Sequence, residues 1–315
     1  MNALIGIGAL AGLAAALLFA AIAAGNPIGI LLFYFASLPL LIAGIGWGWL
    51  TAIIGTVVGA IAVALGTGVA TSGAFLATVG IPAAWISYLA LLARTDEDGT
   101  EEWYPVGRLV IWTAGIGAAL GLVTWILVNQ RIDDIRAGFG EILGAIQSTP
   151  GQAPPSDAQI AEMANGLIAL LPPVSAALWM CVTLLNLYIA ARIVRGSARM
   201  RRPWPGLSEI DLPAGTGFVF ATAIVASFFV GPNSLFGVAA VSVAAVLLIA
   251  FAALGLAVVH FTTRGSSMRT MVLIFTYLGL IFFGWPIILF AGLGLLERRF
   301  RFRDRRRPPS PPGTT

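Results

Sequence analysis

Residues 3–24, ALIGIGALAGLAAALLFAAIAA, are apolar throughout and begin a longer stretch, residues 1–93, that contains no Asp, Glu, Lys, Arg or His. Since about 20 apolar residues suffice for one helical crossing of a bilayer, residues 1–93 have room for about four crossings. The chain is 58% hydrophobic and 10% charged, whereas soluble domains carry about 25% charged residues. The sequence therefore predicts an all-α, polytopic transmembrane bundle, and it excludes a soluble globule and a disordered chain.

Hydrophobic segments separated by turn residues predict about eight spans and a last segment that is interrupted by proline. The predicted spans are residues 3–24, 28–45, 47–70, 73–93, 106–129, 167–194, 215–230 and 235–259. We expect a bend or break near Pro39 and a start of the sixth span at Pro172-Pro173 or just before it. The membrane domain is predicted to cover residues 1–297, followed by a basic, Pro-rich cytoplasmic tail, residues 298–315.

Residues 130–165 form the only sizeable insert between predicted spans. Apolar residues recur there at helical spacing between Ile132 and Ile146, with Asp133 and Asp134 on other faces, which predicts an amphipathic helix. This helix can lie on the membrane surface or pack against the bundle. Ser156 and Asp157 are placed to cap the helix that leads into the sixth span.

Arginine clusters in the loop 192–202 and in the tail 298–307 predict the orientation of the chain. Both clusters should be cytoplasmic by the positive-inside rule. Three hydrophobic segments between two cytoplasmic anchors give an odd number of crossings. Either the last segment, residues 270–296, folds back at Gly284-Trp285-Pro286, or it crosses once and leaves the tail outside.

The types of ionisable residue present exclude several classes of chemistry. All 18 basic residues are Arg, so a Walker-type phosphate loop and Schiff-base catalysis both lack their lysine. Single copies of cysteine (Cys181) and histidine (His260) exclude an internal disulfide and the two-histidine zinc motifs. Acidic residues lie outside the predicted spans or at their ends, which disfavours an ion-coupled pump. We therefore expect no enzyme, no cofactor and, since the arginines flank membrane segments, no nucleic-acid partner.

Polar residues near the predicted outer ends of the spans are the candidates for substrate binding. They can converge on a neutral or weakly polar ligand in a cavity between helices, or they can cap helices and form turns. The candidates are Asn26, Tyr34, Asn129, Asn165 and Asn233. Asn186 and Tyr188, deeper in the sixth span, are expected to form hydrogen bonds between helices.

Small residues repeat at four-residue spacing along the first span. Gly8, Gly12 and Ala16 form one ridge, and Ala11 with Ala15 forms a parallel one. Such ridges allow close helix packing in a bilayer. The ridge either packs within the chain or docks a partner subunit in the membrane.

The loop from His260 to Arg269 is short and polar. Arg264, Arg269 and nearby amides can hold a phosphate group, or the loop can be a cytoplasmic turn that faces lipid headgroups.

Several stretches together resemble a known family. Near the N-terminus these stretches are the first span and the segment from Leu38-Pro39-Leu40 to Gly44-Ile-Gly-Trp-Gly. Near the C-terminus they are Phe261-Thr-Thr-Arg-Gly, Tyr277, Gly284-Trp285-Pro286 and GLGLLERRFRFR, residues 292–303. The chain resembles the YybS-like family of predicted bacterial membrane proteins. Glu297, Phe302 and Arg303 fit the end pattern of that family.

The family is remotely similar to the substrate-binding S components of energy-coupling factor transporters. That similarity implies docking of a membrane coupling subunit, driven by ATPases, on an Ala-x-x-x-Ala surface that Ala11 and Ala15 match. It also implies a location in the bacterial cytoplasmic membrane. The chain departs from S components in its length, its extra spans and its insert at 130–165.

Three functional hypotheses follow. The first is a transport subunit that binds a small molecule and is energised by partner proteins. The alternative is a non-transporting membrane scaffold or assembly factor. A lipid-handling or enzymatic role comes third.

Overall fold

The computed structural model describes residues 2–147, 156–231 and 234–305, which are mainly helical. The helices are α1 (Asn2–Ala20), α2 (Pro27–Tyr34), α3 (Leu38–Trp47), α4 (Trp49–Thr67), α5 (Val69–Phe75), α6 (Ile81–Ala90), α7 (Val106–Gln130), α8 (Ile132–Gln147), α9 (Asp157–Gly196), α10 (Thr216–Phe229), α11 (Leu235–Thr262), α12 (Arg269–Phe283), α13 (Pro286–Phe300) and α14 (Phe302–Arg305). Strands β1 (Ala93–Thr95) and β2 (Glu101–Trp103) pair antiparallel in the acidic loop after α6. The all-α prediction is confirmed, and the small hairpin was not predicted.

The chain divides into two compact units. Unit 1 comprises residues 1–113, 182–217 and 248–315, and unit 2 comprises residues 114–181 and 218–247. The division falls inside α7, α9, α10 and α11, so each of these helices contributes residues to both units.

Seven helical segments of the described chain are long and apolar enough to cross a membrane. They are Asn2–Ala24, Pro27–Trp47, Trp49–Thr67, Val69–Ala90, Val106–Gln130, Asp157–Gly196 and Leu235–Thr262. The predicted seventh span corresponds to α10, which has only 14 residues and is about 21 Å long, shorter than the ~30 Å hydrocarbon core. The protein is therefore a multi-pass membrane protein with additional short apolar helices.

The small residues of α1 pack against α4 within unit 1. A Cβ atom added at Gly12 would overlap the carbonyl of Gly55, and one added at Gly8 would lie 2.8 Å from the carbonyl oxygen of Thr51. The two backbones are therefore in direct contact, which is the arrangement that glycine allows in a bilayer. Ala15 and Phe19 of α1 are buried beside this contact in the core of unit 1.

The break predicted near Pro39 is present between α2 and α3. Residues 35–37 interrupt the helix, and the amide nitrogen of Asn186 in α9 donates to the Tyr34 carbonyl and to the Ser37 hydroxyl, each at 2.8 Å. These bonds satisfy polar groups that the break exposes in the core. The expectation that Asn186 bonds between helices is confirmed.

The cap predicted at Ser156 and Asp157 for the helix that leads into the sixth span is confirmed, and this helix continues through the proline pair near which we expected the span to start. Helix α9 begins at Asp157, runs through Pro172 and Pro173, and is 40 residues long, or about 60 Å. The Ser156 backbone donates to the Gln159 side chain at 2.9 Å, and the Gln159 backbone donates to the Ser156 hydroxyl at 3.4 Å. This capping box starts the helix, as expected of Ser156.

The amphipathic helix predicted in the insert is confirmed as α8. It packs on the first turns of α9 within unit 2, where Arg136 donates to the Asn165 side chain at 3.0 Å and forms an ion pair with Asp133. Its apolar residues Ile132 and Phe139 are half-buried, whereas Asp133 is exposed. The interpretation that this helix packs against the protein is therefore favoured.

The last apolar segment is a returning helical hairpin. Helices α12 and α13, of 15 residues each, meet at Gly284, whose φ of +67° suits a residue without a side chain. Arg264 just before α12 and Arg303 just after α13 both bond to Ser208, through its hydroxyl and its carbonyl respectively. Both ends of the hairpin therefore lie at the same end of unit 1, as the fold-back alternative requires.

Candidate functional site

One end of unit 1 gathers most of the arginines that the sequence distributes over three segments. We call it the basic end and define it as residues 192–212, 260–269 and 297–304. The connection between α9 and α10, residues 197–215, contains Pro203, Pro205 and Pro213 and only one short 3₁₀ turn, Leu207–Glu209. Proline prevents helix continuation there, so the connection lies across the ends of neighbouring helices.

A cavity of about 260 Å³ opens at the basic end. Helix α9, the 197–215 connection and the turn between α11 and α12 form its walls. Its polar lining consists of Arg192, Arg195, Ser208, His260, Arg264 and Arg269. Tyr188 and Trp204 add aromatic walls, and Ala191 is a buried small residue between the side chains of α9. No carboxylate of the described residues lines it.

Two of the arginines are held by neighbouring groups. Arg264 donates to the Ser208 hydroxyl and lies 3.4 Å from a carboxylate oxygen of Glu209. Arg269 donates to the His260 carbonyl at 3.2 Å. The His260 Nε2 atom lies 2.8 Å from the Tyr277 hydroxyl. These contacts fix the turn between α11 and α12 as one wall of the cavity.

The other two arginines project from α9 without such restraint. Arg192 and Arg195 are exposed and three residues apart, so they lie on the same face of the helix. Within the described part of the chain, neither has a hydrogen bond or an ion pair. Their guanidinium groups are therefore free to bind a ligand.

Arg202 positions the aromatic wall. Its side chain is 4% exposed, donates to the carbonyls of Ala90 (2.9 Å) and Tyr104 (3.2 Å), and stacks 5.0 Å from the Trp204 ring. Burial lowers the pKa of Arg202 to about 10, so the group remains protonated at neutral pH. Arg202 thereby fixes Trp204 and joins the 197–215 connection to the end of α6.

A buried ion pair holds the opposite part of the connection. The Arg303 Nε atom lies 2.8 Å from Glu297, and the two side chains are 7% and 5% exposed. Arg303 also donates to the carbonyls of Ser208 (2.9 Å) and Ile210 (2.7 Å). Arg298 donates to the Leu212 carbonyl at 2.8 Å. The end of α13 therefore fixes Ser208, which lines the cavity.

The composition of the cavity suits an anionic group. Arginine donates several hydrogen bonds in a fixed planar arrangement that matches carboxylate and phosphate oxygens. Among the described residues, no group of three His, Cys, Asp or Glu side chains can hold a metal ion.

The predicted substrate-binding residues lie elsewhere. Asn26 caps α2 by accepting from the Gly29 backbone at 2.8 Å, and Tyr34 ends that helix in unit 1. Asn129 and Asn165 belong to unit 2, where Asn165 accepts from Arg136. Asn233 lies outside the described residues. None of the four described residues lines the cavity, and a binding role for them stays a prediction.

The predicted docking pair is close to the contact between α1 and α4. Ala15 is fully buried in the core of unit 1, and Ala11 packs against that core. The structure therefore supports the interpretation that the ridge packs within the chain, and docking of a partner on Ala11 and Ala15 stays a prediction.

The sequence indicated only part of the cavity. The phosphate-holding interpretation of Arg264 and Arg269 named one wall, whereas Arg192 and Arg195 suggested only orientation. Tyr188 was expected to bond between helices, and it lines the cavity. The prolines of the 197–215 connection were the available sequence signal. They indicate a non-helical segment that can lie beside both α9 and the turn between α11 and α12.

Comparison with curated proteins and with solved structures gives no match. The family described as predicted membrane protein (DUF2232) matches residues 13–296, which cover most of the chain and both units. The chain belongs to this family of predicted membrane proteins.

Proposed function

We propose that this protein is a non-catalytic membrane subunit that binds a small anionic molecule in the basic cavity for transport, with energy supplied by partner proteins. The observation that carries the proposal is the cavity itself, a space of about 260 Å³ that four arginine residues line. This volume is just below the range of about 300–1,000 Å³ that is typical of sites for drug-sized ligands, so it fits a small molecule.

A separate source of energy is part of the proposal. The chain has no lysine and thus no Walker-type nucleotide site. In the seven candidate membrane spans of the described chain, Asp, Glu, Arg and His lie near helix ends, whereas ion-coupled transporters carry such groups at membrane depth. The resemblance to S components of energy-coupling factor transporters supports a coupling subunit and ATPases as partners, in the bacterial cytoplasmic membrane.

A non-catalytic role is supported by the contacts of the two potential catalytic side chains. The Ser208 hydroxyl accepts from Arg264, and His260 Nε2 contacts the Tyr277 hydroxyl. In these contacts the Ser208 hydroxyl is not hydrogen-bonded to His260, as a serine nucleophile would be to its histidine base.

Gentle solubilisation followed by mass spectrometry tests the proposal. The wild-type protein should retain a small anionic molecule, a partner ATPase, or both. Arg192→Gln should reduce the retained ligand without changing the partner. Recovery of neither ligand nor partner from membranes that contain the native proteins would contradict the proposal.

A membrane scaffold is the second candidate, and one observation favours it. Helix α12 buries none of its residues, and Ile281 and Phe282 are about three-quarters exposed (74% and 75%). In a bilayer such a surface contacts lipid or another membrane protein. The scaffold role predicts that a membrane partner is recovered and that Arg192→Gln has no effect on any bound molecule.

A further inference from the structure

The charge of the cavity is largely uncompensated. Its lining contains Arg192, Arg195, Arg264 and Arg269, and the carboxylate of Glu209 contacts one of them at 3.4 Å. Three positive charges are thus left without a carboxylate partner among the described residues. Like charges that lie close together repel each other, so a multivalent anion would stabilise this arrangement.

The arginines approach the cavity from two separate walls. Arg192 and Arg195 come from one face of α9, and Arg264 and Arg269 come from the turn between α11 and α12. Ser208 belongs to the third wall, the 197–215 connection, and its hydroxyl accepts from Arg264. Donors on different sides match a tetrahedral anion, whose oxygens point in several directions. A planar carboxylate is satisfied by one guanidinium group in a bidentate contact.

The cavity also extends along α9 from the basic end into the span. Its lining on this helix runs from Tyr188 to Arg195, which is about 10 Å along the helix axis. Arginine at the end of a span lies at the depth of lipid headgroups. The cavity is therefore reachable by a phosphate on a lipid headgroup or by a free phosphorylated compound.

We propose that the ligand of this cavity carries a phosphate group in its monoester or diphosphate form, bound between the arginines of α9 and those of the α11–α12 turn. This inference rests on the proposed function and narrows its ligand from anions in general to phosphorylated molecules. The side chains of Arg192 and Arg195 supply the free donors, and Arg264 and Arg269 form the fixed wall.

Binding to the full chain in lipid nanodiscs tests the inference and separates the two sources. The soluble probes are inorganic phosphate and glycerol 3-phosphate, with malonate as a dianionic carboxylate control, measured by equilibrium dialysis. The lipid probe is phosphatidic acid, with diacylglycerol as the control that lacks phosphate, measured by native mass spectrometry. Glycerol 3-phosphate binding indicates a free ligand, and retention of phosphatidic acid indicates a headgroup; either result supports the inference.

A matched pair of variants locates the binding. Arg192→Gln/Arg195→Gln removes two charges from the cavity, and Arg201→Gln/Arg299→Gln removes two exposed charges that do not line it. Because hydrogen bonds to charged groups are the stronger ones, the cavity variant should bind the phosphate probe at least about tenfold more weakly. The control variant should stay within about twofold of wild type. Thermal melting of both variants checks that they are folded.

Four results would overturn the inference. If malonate binds as tightly as glycerol 3-phosphate, the cavity does not prefer phosphate, and only the proposed binding of anions in general is supported. Phosphate binding that the cavity variant retains would place the site elsewhere. If no probe binds but an unphosphorylated molecule co-purifies with the protein, the proposed function stands without this ligand. If no probe, ligand or partner is found, both proposals fail.

Discussion

Breaking the buried ion pair between Glu297 and Arg303 should destabilise the basic end. The side chains are 5% and 7% exposed and 2.8 Å apart, so Glu297→Ala leaves a buried guanidinium without its carboxylate. Removing one partner of a buried pair costs about 3–5 kcal/mol. Arg303 keeps its bonds to the Ser208 and Ile210 carbonyls, so we expect a loss near the lower limit, about 3 kcal/mol.

The assay is thermal unfolding of the full chain in a mild detergent. At about 2–4 °C for each kcal/mol, the Tm of Glu297→Ala should fall by at least about 6 °C. The double variant Glu297→Leu/Arg303→Leu removes both charges, so its loss should be smaller than the sum of the losses of Glu297→Leu and Arg303→Leu, because no buried charge is left without a partner.

The same variants link this pair to the cavity. Since Arg303 holds the Ser208 carbonyl, Glu297→Ala should also weaken phosphate binding, whereas Arg299→Gln, an exposed change on the same helix, should not. A Tm of Glu297→Ala within about 1 °C of wild type, or a double variant whose loss equals the sum of the two single losses, would contradict a stabilising interaction between Glu297 and Arg303.

Three further predictions follow from the described contacts. Gly12→Leu should lower the free energy of unfolding by about 1–3 kcal/mol, because its side chain overlaps the Gly55 carbonyl. The control Gly6→Leu should be nearly neutral, because nothing lies within 4 Å of its added Cβ. Equal melting temperatures of the two variants would contradict this prediction. Arg202→Met should lower the free energy of unfolding by about 2 kcal/mol or more, since the carbonyls of Ala90 and Tyr104 lose their donor. The exposed control Arg201→Met should lower it by less than about 0.5 kcal/mol. Thermal melting of both variants measures the difference. Single cysteines placed just before α12 and just after α13, in a Cys181→Ala background, should react from the same side of sealed vesicles, and labelling from opposite sides would disprove the hairpin.

The helices could be predicted from the sequence because lipid requires each spanning segment to satisfy its own backbone. Apolar runs and turn residues therefore locate α1 to α7 and α11 to within a few residues. The fold-back of α12 and α13 was one of the two alternatives that the arginine distribution left open, since two basic clusters at one side require an even number of crossings between them.

The start of α9 followed from its cap residues Ser156 and Asp157, but the passage of the helix through the proline pair could not be predicted. Pro172 and Pro173 were expected at the start of the sixth span, yet the helix continues through them within unit 2. There, Gly121 of α7 lets the backbones approach, since a Cβ on it would lie 3.0 Å from the Pro172 carbonyl oxygen. Packing against neighbouring helices compensates for the lost backbone bonds of a proline, and sequence patterns do not report such packing.

The site was only half predictable. Arg264 and Arg269 are close in sequence, so their common role as a phosphate-holding loop could be proposed. Arg192 lies more than sixty residues away from them, and only the path of the 197–215 connection brings these groups to one cavity. The Glu297–Arg303 pair shows the same limit, since its resemblance to a family end pattern gave no indication of the contact with Ser208.

The most direct test of the basic cavity as a ligand site is an experimental structure of the full chain with glycerol 3-phosphate or phosphatidic acid. We expect density for a phosphate group with oxygen atoms about 2.7–2.9 Å from guanidinium nitrogens of both walls, at least one from Arg192 or Arg195 and one from Arg264 or Arg269. A cavity that holds only water under saturating ligand, or phosphate density at another surface, would contradict it.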